Sequence, residues 1–276
     1  MAAMATVVAA WRYPVKSAAA EDVERLTVTS DGVVGDRVSA AIARDDATVV
    51  SAKHPRKGGR LLEVMTSYAD DTGVVTVTVP GHRAIRAGDK QLDALLSEWL
   101  GRPVALTDVV PEGLRLHRLW PSEIGMLPEW VSDAQAGDAV LTEVAGAARG
   151  RFVDYAPVHL VTTGELARLE SELGHPANPV RFRPNLLLDL PIDPQPGQLL
   201  RIGDVELTID LPASRCVIPS LAQAGVPEAD GEILKALARH HRVAVGDRGK
   251  AAVFGVYANV LRAGVVCRGA QVVVSS

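Results

Sequence analysis

The chain is poor in cysteine, in aromatic residues and in long apolar runs. Its two cysteines, Cys216 and Cys267, can neither build a disulfide framework nor hold an iron–sulfur cluster by themselves. Aromatic residues make up 4% of the 276, so few platforms exist on which single-stranded nucleic acid could stack. An excess of positive charge is missing too. Twenty-nine basic residues face 33 acidic ones, a formal net charge of −4, which argues against a protein whose affinity comes from neutralising phosphates along a nucleic acid. No uncharged apolar run reaches the ~18 residues needed to span a bilayer, so no membrane partner is expected. The opening stretch from Met1 to Trp11 carries no basic leader and reads as a first strand, not a signal peptide. The expected compartment is therefore the cytoplasm, with reduced thiols.

What is present suits one large globular domain or two smaller ones. At 47% hydrophobic and 22% charged, the chain can bury a core without disulfide or metal staples. Five runs rich in Val, Ile, Leu and Thr, bounded by Gly, Asp or Pro, predict strands: Val23 to Thr29, Val38 to Arg44, Val74 to Val79, Val104 to Val110 and Leu199 to Asp210. Helical spacing of leucines predicts helices over Lys90 to Leu100, Thr163 to Leu173 and Glu228 to His241. Thr162 stands three residues before Glu165 in a capping-box pattern, and Gly174 is a suitable stop. Helices so few and scattered do not alternate with strands as βαβ units would. The expected class is α+β, predominantly β and mostly antiparallel. The stretch from Pro111 to Gly150, rich in proline and glycine and containing Trp120 and Trp130, marks either a domain boundary near its start or an active-site loop.

Cys216 stands in Ser214-Arg215-Cys216-Val217-Ile218-Pro219, after a predicted strand. Arg215 favours a thiolate, the form that attacks or binds metal; the competing reading is a small buried hydrophobe. Cys267, inside the apolar run Gly264 to Arg268, fits the buried reading better. The seven histidines show no metal-ligand spacing and read as surface or loop residues. Three basic clusters have the residue types that grip an anion: Tyr13-Pro14-Val15-Lys16-Ser17, Gly35-Asp36-Arg37 and Arg181-Phe182-Arg183-Pro184-Asn185. Each alone equally describes solvated surface charge.

In order and spacing these pieces, with Phe254-Gly255-Val256-Tyr257, resemble the MOSC superfamily, named for the C-terminal domain of molybdenum cofactor sulfurase. The resemblance covers nearly the whole chain. It implies an N-terminal β-barrel module over residues 1–118 and a MOSC β-barrel domain with a few helices over 119–276. Within the superfamily the chain is most similar to the amidoxime-reducing components, whose molybdenum cofactor (molybdopterin) reduces N-hydroxylated compounds. On that likeness Cys216 is the molybdenum ligand. Lys16, Ser17 and Arg37 grip the pterin's phosphate, while Arg183, Asn185 and Ser214 line the cofactor. Asp154 aligns with an acidic site residue, a candidate proton relay. The chemistry is suited to these residues, because a soft thiolate complements dithiolene sulfurs around molybdenum.

The chain departs from the family pattern in places. Ala213 replaces a cysteine often found three positions before the ligand, and Tyr155 and Ala156 replace hydroxyl residues of the amidoxime reducers. Gly269-Ala270 replaces a common Gly-Asp pair. No ferredoxin-like domain is appended, so electrons are expected from a separate ferredoxin, flavoprotein or cytochrome-type donor. Three functions follow: a reductase of small N-hydroxylated substrates such as amidoximes and hydroxylamines, a carrier of molybdenum cofactor or of persulfide sulfur on Cys216, or a cofactor-free barrel that binds a partner.

Overall fold

The β-branched runs form strands, and their alternation decides which face is buried. The computed structural model describes residues 5–144 and 150–275. Along Leu199–Ile202 and Val205–Ser214, Leu200, Ile202, Val205, Leu207 and Ile209 point inward and are 2% exposed or less. Gly203, at φ +58°, turns the chain between these segments, so the single strand expected over Leu199 to Asp210 is a hairpin. The other predicted strands appear in shorter form, as Arg25–Thr29, Ala40–Ala43, Val75–Thr78 and Val104–Thr107.

The largest sheet runs in the order Val272–Ser275, Leu199–Ile202, Val205–Ser214, Lys250–Arg262, Val158–Thr162, Leu186–Leu188, Val7–Arg12 and Glu21–Asp22. Neighbours along it are antiparallel except Val158–Thr162 and Leu186–Leu188, which run parallel. The sheet curls until its ends meet: Thr6 bridges Gln271, and Val272 N donates to Ala5 O. Two of its central strands, Val158–Thr162 and Lys250–Arg262, had no clear sequence signal. The first is buried throughout, and a strand covered on both faces shows no polar alternation.

Residues 40–107 add the ladder Ala40–Ala43 with Val104–Thr107 and the meander Met65–Tyr68, Val75–Thr78, Ile85–Arg86. Against them lies the helix Lys90–Leu100, whose Leu92 and Leu96 join Val75, Val77 and Val104 in one core. Asp89 caps this helix by accepting from Gln91 N, and Gly101 ends it at φ +67°, which only a residue free of a Cβ adopts at low cost. The helix Thr163–Leu173 likewise has its expected bounds, Thr162 cap and Gly174 stop. The third helix is Glu232–His240 and starts later than expected, where Asp230 Oδ1 accepts from Glu232 N at 3.1 Å. Within the irregular 111–150 stretch, Arg115–Leu119 and Ala139–Glu143 form a two-stranded ladder.

Backbone pairing crosses position 118/119 in several places. Val7–Arg12 pairs with Leu186–Leu188, and Arg25–Thr29 pairs with Gly264–Cys267. The strand Gly264–Cys267 also corrects one expectation. Its alternation turns Val266 inward and leaves Cys267 exposed, not buried. Nor are the histidines all surface residues, since His159 and His241 are 5% and 4% exposed. No helix among the described residues is long and apolar enough to cross a membrane.

Candidate functional site

Three separate segments send cations to one place by taking an uncommon backbone conformation. Ser17 (φ +64°), Arg37 (φ +47°) and Arg183 (φ +57°) are three of the four non-glycine residues with positive φ among those described. The left-handed region costs an L-residue about 1–2 kcal/mol, and such costs gather where a side chain must be aimed. The segments are locked together by backbone bonds. Arg37 N donates to Tyr13 O at 2.7 Å and Lys16 N to Ser39 O at 2.8 Å, while the Arg37 guanidinium donates to Asp36 Oδ2 at 2.6 Å and Arg183 O at 3.1 Å.

Both arginines lie over the ring of Tyr13, with Arg37 Cζ 4.5 Å and Arg183 Cζ 4.2 Å from its centroid. The Tyr13 hydroxyl is buried without a hydrogen-bond partner, as are Arg183 Nη2 and Arg215 Nε. Burial drives the Tyr13 hydroxyl far above its usual range, against the pull of the nearby arginines. Burial also lowers Arg183, to about 10, with Arg37 adding repulsion.

Lys16 and Lys53 converge on Asp154 Oδ1, at 2.7 and 2.8 Å. Burial opposes the Asp154 charge, but the two ammonium groups overcome it and hold the carboxyl well below its ordinary range. Lys16 also donates to Phe152 O at 2.7 Å. Ser17 Oγ lies 3.2 Å from Ser51 Oγ and accepts from Ala52 N. Asn185 is committed to the backbone, accepting from His159 N and donating to Trp11 O, so its part is to pin strands beside the site.

Lys16, Ser17, Arg37, Asp154, Arg183, Asn185 and Cys216 all line one open groove. Ser214 does not; it lines an adjoining cavity that shares Asp154, Arg215, Cys216 and Tyr257 with the first. Cys216 therefore sits where two cavities meet. It follows the strand Val205–Ser214 and precedes the short helical turn Ile218–Ser220, half-buried against Ala52, Leu62 and Ile218. Next to it, Arg215 is fixed by donation to Phe182 O at 2.7 Å.

Two site residues escaped the sequence reading. Lys53 had a faint signal, a run of basic residues in Lys53-His54-Pro55-Arg56-Lys57. His159 had a better one, a lone polar residue inside the apolar run Val158 to Val161. Burial and then Arg215 depress His159 to about 3, so the imidazole is neutral at physiological pH. Close behind it, a Cβ on Gly255 would lie 2.3 Å from Leu160 O, and Gly255 has φ +74°, so only glycine fits there.

The charge balance is uneven. Lys16, Lys53, Arg183 and Arg215 are each at most 8% exposed, and with Arg37 they face only Asp36 and Asp154 in direct ion pairs. The excess calls for an anion. It also predicts a pH dependence. Burial lowers Lys53 to about 8, with Asp154 pulling the other way, whereas the unfolded lysine titrates near ~10.4. Between these values the unfolded chain binds more protons, so the stability of the ligand-free protein should rise from pH 8 to pH 10. A gain of about 2 kcal/mol is expected in urea melts, and Lys53→Met should flatten it. A wild-type curve already flat over that window would show that Lys53 is not strained by burial.

The family model for the MOSC N-terminal beta barrel domain matches residues 4–98, and that for the MOSC domain matches residues 147–273. A comparison with curated proteins returns no match. Among solved structures, the YUAD protein from Bacillus subtilis is similar at 12% identity, covering 98% of this chain and 95% of that one with a TM-score of 0.46. YiiM from Geobacillus stearothermophilus is similar at 19% identity over 44% of this chain and 55% of that one, with a TM-score of 0.33. With both family modules matched in order along the chain, the protein belongs to the MOSC superfamily.

Proposed function

We propose that this protein binds molybdenum cofactor and reduces N-hydroxylated compounds, with electrons from a separate redox protein. The observation that carries this reading is the surplus of buried cations beside a half-buried thiol. MOSC domains are associated with this cofactor, and the residues present fit it. The partnerless Arg183 Nη2, Arg215 Nε and Tyr13 hydroxyl are donors that a polyanionic pterin would satisfy. Among the described residues no three His, Cys, Asp or Glu side chains converge as a metal site. A metal held at Cys216 would therefore bring its other ligands on its own organic group.

When bound, the cofactor supplies two-electron chemistry that removes an N-hydroxyl oxygen as water. The chain's residues supply the setting. Cys216 would hold the metal through its thiolate. Lys16, Arg37 and Arg183 would hold the phosphate, with Ser17 Oγ as a neutral partner. Tyr13 gives both guanidinium groups an aromatic surface to rest on. Asp154, kept ionised by Lys16 and Lys53, holds both ammonium groups in register and is poorly suited to donate a proton. His159, neutral and beside the Arg183 and Phe254 carbonyls, only one of which its single N–H can meet, adds no positive charge to the groove.

Protein made in a cofactor-competent host should carry molybdenum and pterin close to one per chain, and should reduce benzamidoxime with an artificial one-electron reductant. Bound cofactor that transfers to an apo-enzyme without any turnover would instead make the protein a carrier. Metal-free protein that takes up no supplied cofactor would sink both readings.

A further inference from the structure

The cavity on the far side of Cys216 has a composition of its own. Trp120 and Trp130 stand in it with Tyr155, and Lys53, Arg118, Arg215 and Arg248 supply four cations against the single carboxylate of Asp154. Its walls are built. Trp130 packs against the cluster of Val245, Ala251 and Val253, and Trp120 is 7% exposed, its backbone N donating to Asp138 O at 2.9 Å. Each free guanidinium lies over a ring: Arg118 Cζ is 4.7 Å from the Trp120 centroid and Arg248 Cζ is 5.5 Å from that of Tyr155.

Among the described residues neither arginine has a carboxylate partner. Asp154, the only acid in the cavity, is already taken by Lys16 and Lys53. Trp120 Nε1 and Arg118 Nε are buried with no hydrogen-bond partner, and buried donors in a concave, aromatic-walled cavity are normally satisfied by what the cavity binds. Resting a guanidinium on a ring leaves its edge free to meet an anion while the ring screens one face from water.

We infer that this cavity selects a planar substrate bearing an anionic group, a carboxylate or a phosphate-type anion, and orients it with the anion on Arg118 and Arg248 and its ring among Trp120, Trp130 and Tyr155. The inference rests on the molybdenum reading only for which end of the substrate faces Cys216. The binding chemistry belongs to the cavity itself. Trp120 and Trp130 also mark it as a specificity site, because a neutral or cationic ring meets the same walls without the charge partner and loses the largest interaction.

The test uses cofactor-free protein, so that it stands apart from turnover. Tryptophan fluorescence would be titrated with benzamidoxime, 4-carboxybenzamidoxime, 4-phosphonobenzamidoxime and a cationic 4-aminomethyl analogue. The two anionic compounds are expected to bind at least about tenfold more tightly than the neutral one, the difference that one well-placed charge-assisted contact supplies. The more strongly retained of the two identifies the anion. Arg118→Ala and Arg248→Ala should erase the advantage of the anions while leaving the neutral compound's affinity within about twofold. Equal binding of all four compounds, or an anion preference that survives both substitutions, would overturn the inference. Because a substitution at Arg118 could disturb the strand Arg115–Leu119, Arg118→Gln is a second variant, with far-UV circular dichroism as a check on folding. If the wild type shows anion selectivity yet never takes up metal, the cavity inference stands and the molybdenum reading falls.

Discussion

Cys216→Ser should lower the molybdenum content of the purified protein at least tenfold while leaving the fold nearly as stable as before. A hard hydroxyl is a poor replacement for a thiolate on a metal that favours sulfur, and even loss of an outer-shell partner commonly costs about 10–100-fold in metal affinity. The fold should survive because Cys216 is only half-buried, at the edge of a small cluster with Ala52, Leu62 and Ile218. Exchange of sulfur for oxygen there removes little packing, so the melting temperature should move by no more than about 4 °C. The groove cations proposed to hold the phosphate, Lys16, Arg37 and Arg183, are untouched, and on that proposal some pterin should remain without metal. Molybdenum retained at the wild-type level would remove Cys216 from the metal site and return it to an ordinary half-buried cysteine.

Asp154→Ala has the second large effect, and it runs in opposite directions on two measurements. The Asp154 carboxylate is the shared partner of Lys16 and Lys53. Without it, two nearly buried ammonium groups face Arg37 and Arg183 with no acid in contact. Breaking a buried pair from one side costs about 3–5 kcal/mol, but the Asp154 side chain is 40% open to the cavity, and water there screens the pair. A loss of about 2 kcal/mol in urea melts is therefore expected. Phosphate or sulfate should bind the variant more tightly than the wild type, since the same positive field is no longer offset, and millimolar anion should restore much of the lost stability. Lys53 should also deprotonate at a lower pH than in the wild type, because Asp154 is what holds it up. If stability and anion affinity are unchanged and only turnover falls, Asp154 acts as a proton relay and not as the clasp between two lysines.

The same ion pair shows where a linear reading reaches its limit. Lys16, Arg37, Arg183 and Cys216 each sit in a short motif whose residue types suit an anion or a metal. Nothing in the motifs separates a cavity from three patches of solvated surface. Lys53 stands in a basic run that has every mark of an exposed turn, and it is 6% exposed only because its ammonium meets a carboxylate 101 positions further along the chain, at Asp154. His159 shows the converse. Its burial in an apolar strand could be suspected from its neighbours, but its neutral state depends on the depth of that burial and on Arg215, against the pull of two carbonyls from other segments.

The sequence by itself determined the local structure and the inventory. The helices Lys90–Leu100 and Thr163–Leu173 have their expected bounds, because a capping side chain and a terminal glycine act within a few residues. The predominantly β class followed from composition and short apolar runs, and the order of motifs placed the chain in its superfamily. Tertiary structure alone decided the rest. It split Leu199 to Asp210 into a hairpin, laid the first strand against Leu186–Leu188, and made Lys250–Arg262 the longest strand of the sheet. It also brought five cations from both halves of the chain around one thiol, and left a second, aromatic cavity beside it. The physical reason is that strand pairing and charge burial depend on partners far apart in sequence. Those partners reveal themselves only once the sheet has curled and its ends have met.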